Sequence, residues 1–311
     1  MIITVTANPS IDMAYKLDNL NIDEVNRTSN VSKTPGGKGL NVTRVIKQLG
    51  GKVLSTGFIG GKNGEFIEEE LHKIKIKSSF YKTDKNTRNC IAILHEGNQT
   101  EILESGEELS EFQEKEFIEH FKEIVKEDSI ITISGSTPPG IGENFYKKLI
   151  EIAVKKICKV ILDSSGKNLK TIVLESKVKP YAIKPNEHEI NHIENLDLKS
   201  EEEFRSYLMS PIFKDIPLIL MTKGKNGALI KFEDVLYKVE IPKIKPVNPV
   251  GSGDSTVAGL AYGLDNKLGF ENTVRLAMAC GILNALEEKT GHIDEDRVEE
   301  FMEKVKISRL S

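Results

Sequence analysis

The segment NPVGSGDSTVAGLAYGL, residues 248–264, places two glycines around a serine, then an aspartate, directly before an apolar helical pattern. A glycine-rich loop at a helix start directs backbone N–H groups outward and forms a cavity that holds an anion. We expect the N–H groups of residues 251–254 to form such a cavity. Asp254 stands at its entrance, although a carboxylate repels phosphate, so its position there requires a reason.

Around this segment, short β-rich runs alternate with amphipathic helical patterns. The patterns predict strands at 2–7, 129–134, 159–163, 180–184 and 216–222, and helices at 40–49, 143–156 and 254–264. Such alternation predicts an α/β fold, with a mostly parallel central sheet covered by helices on both faces. Ligands then bind beyond the carboxyl ends of the strands.

Two segments, at about residues 11–34 and 86–103, interrupt this alternation. Their short alternating patterns have no helices between them and predict antiparallel strands, one pair joined by the turn at residues 95–98. We expect a small sheet that projects from the main domain and serves as a lid. The chain contains no linker or internal repeat, so residues 1–311 are predicted to form a single domain.

Composition excludes several classes of protein. The net charge is −4 and no long basic stripe is present, which argues against nucleic acid as the main partner. No apolar run approaches the ~20 residues that a membrane span needs, and the N-terminus does not resemble a signal peptide. Cys90, Cys158 and Cys280 are widely separated and odd in number, which indicates reduced thiols in a cytoplasmic protein.

A second glycine-rich segment, TPGGKGLNVTR at residues 34–44, also precedes a helix. Its glycines allow a ligand to approach the backbone closely, and Asn41 lies in the first helical turn, where its side chain reaches the same ligand. The plain alternative is a glycine-rich turn that caps a helix.

Asp254 likewise has two interpretations, a helix cap or a general base beside an anion hole. We favour the base, which takes a proton from a hydroxyl while the loop holds the phosphoryl group that this hydroxyl attacks.

Three other motifs bear on the function. Residues 188–192 read His-Glu-Ile-Asn-His, a match to the zinc-protease pattern, but no third ligand is evident and Pro185 places the match in the first turns of a helix. Surface histidines are the simpler interpretation. No Gly-Lys pair is followed by Ser or Thr, so no Walker A loop is present. The loop at 251–256 lacks the third glycine of a dinucleotide fingerprint.

Taken in order, these motifs resemble those of the PfkB, or ribokinase-like, family of sugar kinases. The likeness extends over nearly the whole chain: ANPSID (7–12), PGGKGLNVTR (35–44), ISGSTPPG (133–140), DSSG (163–166), KPNEHE (184–189), TKGKNGA (222–228) and NPVGSGDSTVAG (248–259). The resemblance implies a ribokinase-like three-layer sandwich with a β lid, and an enzyme that uses ATP and Mg²⁺.

The resemblance also implies roles for individual residues. The catalytic group comprises Asp254 as base with Gly251, Ser252 and Gly253 in the anion hole; the substrate group comprises Asp12, Gly36, Gly37, Lys38, Asn41, Arg88 and Ser136; the nucleotide group comprises Lys184, Asn186, Glu189, Thr222, Gly224, Gly227 and Asn284. Glu189 would act on Mg²⁺ indirectly, as part of the magnesium and phosphate network.

Arg88 and the SGSTPPG segment (134–140) resemble the branch of the family that acts on phosphosugars, where arginine binds the substrate phosphate through bidentate contacts. Residues 87–106 and 287–292 are most similar to kinases of tagatose 6-phosphate, whereas residues 57–66 also occur in kinases of fructose 1-phosphate. A third possibility is a non-catalytic sugar-phosphate sensor on the same fold. The resemblance further implies a homodimer formed through the lid, which would cover exposed strand edges.

Overall fold

The computed structural model describes residues 1–310, in which strands and helices alternate along most of the chain. The strands are β1 (Ile2–Thr6), β2 (Ser10–Lys16), β3 (Val31–Gly36), β4 (Val53–Gly60), β5 (Lys77–Ser78), β6 (Tyr81–Thr83), β7 (Arg88–His95), β8 (Asn98–Leu103), β9 (Ile130–Ser134), β10 (Lys159–Asp163), β11 (Ala182–Ile183), β12 (Leu218–Thr222), β13 (Ala228–Phe232), β14 (Val235–Glu240) and β15 (Lys306–Arg309). The helices are α1 (Lys38–Gln48), α2 (Gly61–Lys73), α3 (Glu111–Ile124), α4 (Phe145–Lys155), α5 (Gly166–Lys170), α6 (Glu187–Glu194), α7 (Glu201–Leu208), α8 (Ser252–Asp265), α9 (Phe270–Leu286) and α10 (Val298–Lys304).

The large sheet has 11 strands in the order β15-β14-β13-β12-β11-β10-β9-β1-β4-β5, with β6 paired to β4. All pairs from β12 to β5 are parallel, and the pairs that join β12 to β15 are antiparallel. The predicted mostly parallel sheet is therefore confirmed. The strand predicted at 180–184 is shorter than expected, because only Ala182 and Ile183 pair with both neighbours.

Helices cover both faces of this sheet, as the alternation of side chains along β1 shows. Ile2 faces one apolar core, which includes residues of α1, α8, α9 and α10, whereas Ile3 and Val5 face the other, which includes residues of α3 and α4. All three side chains are fully buried. Because successive side chains of a strand point to opposite faces, two cores arise, and the molecule has three layers.

A separate sheet, which we call the lid sheet, contains four strands in the order β3-β2-β7-β8. The predicted strands exist, and the pairs β2–β3 and β7–β8 are antiparallel, but the central pair β2–β7 is parallel, with Ser10 opposite Arg88. The antiparallel strands predicted within each segment are confirmed, whereas the parallel pairing between the two segments was not predicted. This pairing is parallel because β2 follows β1 and β7 follows β6 after short connections, so both strands leave the parallel sheet in the same direction.

This arrangement brings the lid sheet, the start of α1 and the start of α8 to one edge of the large sheet. The strand β3 leads into α1 through the single residue Gly37. Helices α1 and α8 are also in direct contact with each other. Within residues 1–310, the search for a helix with the length and apolarity of a membrane span found none.

Candidate active site

The glycine loop predicted to hold an anion lies at the start of α8. Gly251 has φ 83°, a left-handed conformation that suits glycine, and a Cβ there would contact Thr290 at 2.5 Å. The backbone N–H groups of Gly253 and Asp254 donate to no acceptor within residues 1–310, as expected for the first turn of a helix. These two donors are therefore available to an anion.

Asp254 lies beside these donors and is only 6% exposed. Its Oδ2 accepts a hydrogen bond of 2.7 Å from Nδ2 of Asn41, so the two glycine-rich segments meet at this contact. No side chain caps α8, whose N-cap is Gly251, so the alternative interpretation of Asp254 as a helix cap is wrong. The carboxylate faces Asn41 instead of the backbone of its own helix.

The electrostatic environment makes the Asp254 carboxyl a weaker acid than an exposed aspartate. Burial is the largest cause, and the negative charge of Asp163 adds to it, so the pKa of Asp254 rises from 3.8 to about 6. Lys38, the amide of Asn41 and Lys184 oppose this rise. A carboxylate with such a pKa is mostly ionised at neutral pH, yet it is a better proton acceptor than an exposed aspartate.

Asp163 is a buried carboxylate at the centre of a charge cluster with two lysines, of which Lys184 is buried and Lys38 is partly exposed. Its Oδ1 lies 3.3 Å from Nζ of Lys184 and 3.7 Å from Nζ of Lys38, and its side chain is 1% exposed. Burial disfavours its charge, but the two ammonium groups outweigh this effect and hold the pKa of Asp163 below its ordinary value. Asp163 in turn is the main cause of the raised pKa of Lys38. The Lys184 ammonium also reaches Gly253, whose added Cβ would lie 3.2 Å from Nζ.

The predicted substrate residues Asp12, Gly36 and Gly37 lie together where the lid sheet meets α1. Asp12 is opposite Thr34 in the β2–β3 pair, and a Cβ on Gly36 would overlap the Asp12 carboxylate. Ser10 donates a hydrogen bond of 2.6 Å to Asp12 Oδ1. Burial is the largest cause of the raised pKa of Asp12. Gly36 is thus needed because the carboxylate occupies the space of a side chain.

Arg88, on β7, lines a cavity together with Asn8 and Thr87. Its Nη1 donates to the Glu104 carbonyl at 2.7 Å and its Nη2 to the Asn8 carbonyl at 3.0 Å, but its buried Nε has no hydrogen-bond partner. An unpaired buried donor on a cationic side chain favours an anionic ligand. Ser136 lies in the exposed loop after β9, and no hydrogen bond fixes its side chain within the described residues.

The predicted nucleotide residues lie at the carboxyl ends of β11 and β12. Asn186 and Glu189 form a capping box at the start of α6, in which Asn186 Oδ1 accepts from the Glu189 N–H at 2.8 Å and Glu189 Oε2 from the Asn186 N–H at 2.9 Å. The N-x-x-E segment thus has a structural role in this chain, and the negative charge of Glu189 also contributes to the raised pKa of Lys38. Gly224 and Gly227, at φ 53° and 83°, form the tight turn after Thr222.

The structure does not support the prediction that Asn284 borders an adenine pocket. Its side chain is 0% exposed, its Nδ2 donates to the Val250 carbonyl at 2.8 Å, and its Oδ1 accepts from the Gly291 N–H at 2.8 Å. Both ends of this amide are therefore bound to protein groups, and Asn284 stabilises the glycine loop before α8 through its contact with Val250.

His188 and His192 are exposed neighbours on α6, with ring centroids 4.0 Å apart. Among the residues that the structure describes, no group of three or more His, Cys, Asp or Glu side chains is arranged to hold a metal ion. Glu189, between the two histidines, turns back to the helix start.

Two residues of the site were not singled out from the sequence. Asp163 ends β10, and its position at the carboxyl end of a parallel strand was the available signal. Arg44 lies one helical turn after Asn41 and donates to Asn41 Oδ1. The sequence signal for Arg44 was weaker, because its importance depends on the contact between Asn41 and Asp254, which only the fold reveals.

Comparison with known proteins agrees with this geometry. The model of the pfkB family of carbohydrate kinases matches residues 4–297. A tagatose-6-phosphate kinase of Staphylococcus epidermidis is 45% identical over 308 residues, which cover 99% of each chain. A putative phosphofructokinase from Staphylococcus aureus superposes with a TM-score of 0.86 at 31% identity, covering 100% of this chain and 99% of that one.

Phosphofructokinase-2 from Escherichia coli, in its complex with fructose-6-phosphate, superposes with a TM-score of 0.88 at 26% identity, covering 97% of this chain and 98% of that one. The order of the motifs, the fold and these similarities agree with one another, and the chain belongs to the pfkB family of carbohydrate kinases, with a ribokinase-like fold.

Proposed function

We propose that this kinase transfers the γ-phosphoryl group of ATP to the free primary hydroxyl of tagatose 6-phosphate, giving the 1,6-bisphosphate. The observation that carries the proposal is the placement of the buried Asp254 carboxylate beside the two unpaired N–H groups of Gly253 and Asp254. The 45% identity to a tagatose-6-phosphate kinase, over 99% of both chains, supports the choice of sugar.

The first step of the proposed mechanism is proton removal by Asp254. Only Oδ2 of this carboxylate is bound to protein, by Asn41, so Oδ1 is free to accept the proton of a sugar hydroxyl. The pKa of about 6 suits this task, because the base is ionised at neutral pH and still has appreciable proton affinity. The oxygen that loses its proton attacks the γ-phosphorus in line, and ADP leaves.

Charge on the transferred phosphoryl group would be stabilised by the cavity and the lysines. The unpaired N–H groups of Gly253 and Asp254 would donate to the equatorial oxygens, and Lys184 lies against Gly253. Asp163 forms ion pairs with Lys184 and Lys38, so both cations are already near the cavity before ATP binds. Pre-fixed charges stabilise a transition state without reorganisation at the moment of reaction.

The donor set also fits a Mg²⁺ ion that is bound mainly by ATP. Mg²⁺ in kinases keeps several waters and takes one or two protein carboxylates besides phosphate oxygens. Glu189 is half-buried, uses one carboxylate oxygen in the capping box, and has its other oxygen free to bind a water of the ion. When bound, the ion would neutralise charge on the ATP phosphates. The turn of Thr222, Gly224 and Gly227 would contact the nucleotide.

The 6-phosphate of the sugar would bind near Arg88, whose Nε is an unpaired buried donor. Ser136 stands in the loop next to Lys38, since a Cβ on its neighbour Gly135 would lie 3.8 Å from the Lys38 Cβ. Asp12, on strand β2 of the lid sheet, would accept hydrogen bonds from sugar hydroxyls. We expect these residues to form the side of the site that faces the lid sheet.

Two other functions remain testable alternatives: a kinase of fructose 1-phosphate and a non-catalytic sugar-phosphate sensor. A coupled assay of ADP release should compare tagatose 6-phosphate, fructose 1-phosphate, fructose 6-phosphate and unphosphorylated sugars. We expect the highest kcat/KM with tagatose 6-phosphate. Preference for fructose 1-phosphate would establish the first alternative, and tight sugar-phosphate binding without ADP release would establish the second.

We further propose that two copies associate through their lid sheets. Ile102 and Leu103 on β8 are 55% and 61% exposed, and Val31 on β3 is also exposed. Apolar side chains on the outer strands of an open sheet favour a second copy of the same sheet as partner. The cytoplasm, which supplies ATP, is the compartment that the proposal implies.

A further inference from the structure

Arg44 connects the residue that contacts the base to both glycine-rich segments. Its Nη2 donates to Asn41 Oδ1, its Nη1 donates to the Pro35 carbonyl at 2.6 Å, and its Nη2 also lies 3.3 Å from the Thr290 carbonyl. The side chain is half-buried between α1 and the segment that follows α9. Arg44 touches neither the anion cavity nor the carboxylate of Asp254 directly.

We propose that Arg44 is a positioning residue whose guanidinium fixes the amide of Asn41, so that Nδ2 always faces Asp254. A guanidinium has donors and no acceptor, so it can only face the oxygen of an amide. A carboxylate has acceptors and no donor, so it can only face the NH₂ group. Turning the Asn41 amide by 180° would place NH₂ against Arg44 and oxygen against Asp254, and both contacts would become repulsive.

As a consequence, the two carboxylate oxygens of Asp254 have different partners. Oδ2 accepts from Asn41 at 2.7 Å, and Oδ1, which accepts no hydrogen bond within residues 1–310, is presented to the sugar hydroxyl. Without Arg44 only Asp254 favours this orientation, so the turned amide, whose oxygen can accept a hydrogen bond only from a protonated Asp254, becomes accessible and favours the protonated form. The other charged groups around Asp254 are Asp163 on β10, Lys38 on α1 and Lys184 after β11.

Gln48 provides a matched control on the same helix. It lies one turn beyond Arg44 and binds the same following segment, with Nε2 3.4 Å from the Gly291 carbonyl and Oε1 accepting from the Ile293 N–H at 2.8 Å. It makes no hydrogen bond to Asn41. A role of Arg44 in merely holding this segment would therefore be shared by Gln48, whereas control of the Asn41 amide would not.

The test is a direct titration of the Asp254 carboxyl by ¹³C NMR in the full chain, labelled on aspartate and assigned with Asp254→Asn. Because a hydrogen bond to a carboxylate favours its charged form, Arg44→Met should raise the pKa of Asp254 by about one unit. In an Asn41→Ala background the same substitution should raise it by less than half as much, since only the lost positive charge remains. Arg44→Lys, which keeps a donor-only cation, should leave the pKa of Asp254 close to that of the parent.

Equal shifts in both backgrounds, or an equal shift in Gln48→Ala, would overturn the proposal. If Arg44→Met does not fold, Arg44→Gln in the two backgrounds gives the same comparison. The inference rests on the proposed role of Asp254 as base, but the titration needs no turnover. Normal kcat in Asp254→Asn would refute the function and leave the titration valid, whereas an impaired Asp254→Asn with additive shifts would refute only the role of Arg44.

Discussion

Replacing Asp254 by Asn tests the proposed base through rate and stability together. The substitution keeps the size of the side chain, and its amide oxygen still accepts the hydrogen bond from Asn41, but it cannot take a proton. We expect kcat to fall by roughly 10²–10⁴-fold, because a sugar hydroxyl is a poor nucleophile without a positioned base. The KM values for ATP and sugar should change little, since the lost interaction acts in the transition state.

The stability effect follows from the pKa of Asp254, which rises from 3.8 to about 6 on folding. A raised carboxyl pKa means that the folded parent binds more protons than the unfolded chain between these values, so the parent loses stability as pH rises from about 4 to about 6. The shift of about two units corresponds to about 3 kcal/mol as an upper bound. Asparagine does not titrate and avoids this loss.

The assays are coupled ADP release at pH 7.5 and urea unfolding at pH 7.5 and pH 5. The Asn variant should be slow, yet as stable as the parent or more so at pH 7.5. The difference in free energy of unfolding between the variant and the parent should be smaller at pH 5, where Asp254 of the parent is mostly protonated. A kcat within threefold of the parent would refute the mechanism, and a clear loss of stability at pH 7.5 would refute the electrostatic account.

Further substitutions test the other parts of the site. Arg88→Ala should raise the KM for the phosphosugar by about 10- to 150-fold and leave that for ATP nearly unchanged, because a charge-assisted contact contributes about 1.5–3 kcal/mol; equal KM values for parent and variant would remove Arg88 from the site. Lys184→Met should lower kcat by about 10²-fold or more, measured at saturating ATP, since a fixed cation beside the anion cavity is lost. Changing His188 and His192 together to Gln should keep kcat within several-fold of the parent, and elemental analysis should find no stoichiometric zinc in either protein. Leu103→Asp should shift the sedimentation coefficient towards that of a monomer; an unchanged value would argue against association through the lid sheet.

Local patterns were sufficient to predict the central sheet and the helices nearest the site. The apolar spacing at 40–49 and 254–264 identified α1 and α8, because a buried helical face repeats within one segment. The parallel pairing of β2 with β7 was missed, since two distant segments determine it and neither sequence carries a signal of direction. Strand direction became clear only from the positions of β1 and β6 in the sheet.

Roles for single residues could be proposed where the motif itself supplies the chemistry. The glycine loop at 251–253 and the carboxylate that follows it contain both the N–H donors and the proposed base. Asp163 was missed because its significance arises from Lys38 and Lys184, which come from different elements. Asn284 was misplaced because sequence does not show that helix α9 buries it completely beneath the loop.

The junction between β3 and α1 joins the lid sheet directly to the helix that carries Asn41. The strand ends at Gly36 and the helix begins at Lys38, so the chain that forms the lid is separated from Lys38 and Asn41 by the single residue Gly37, at φ 101°. The backbone therefore connects the lid sheet directly to the first turn of α1, and Asn41 of that turn donates its hydrogen bond to Asp254 on α8. We expect a sugar that contacts the lid sheet to influence the amide of Asn41 through this connection, so that the sheet and the carboxylate are coupled through one residue.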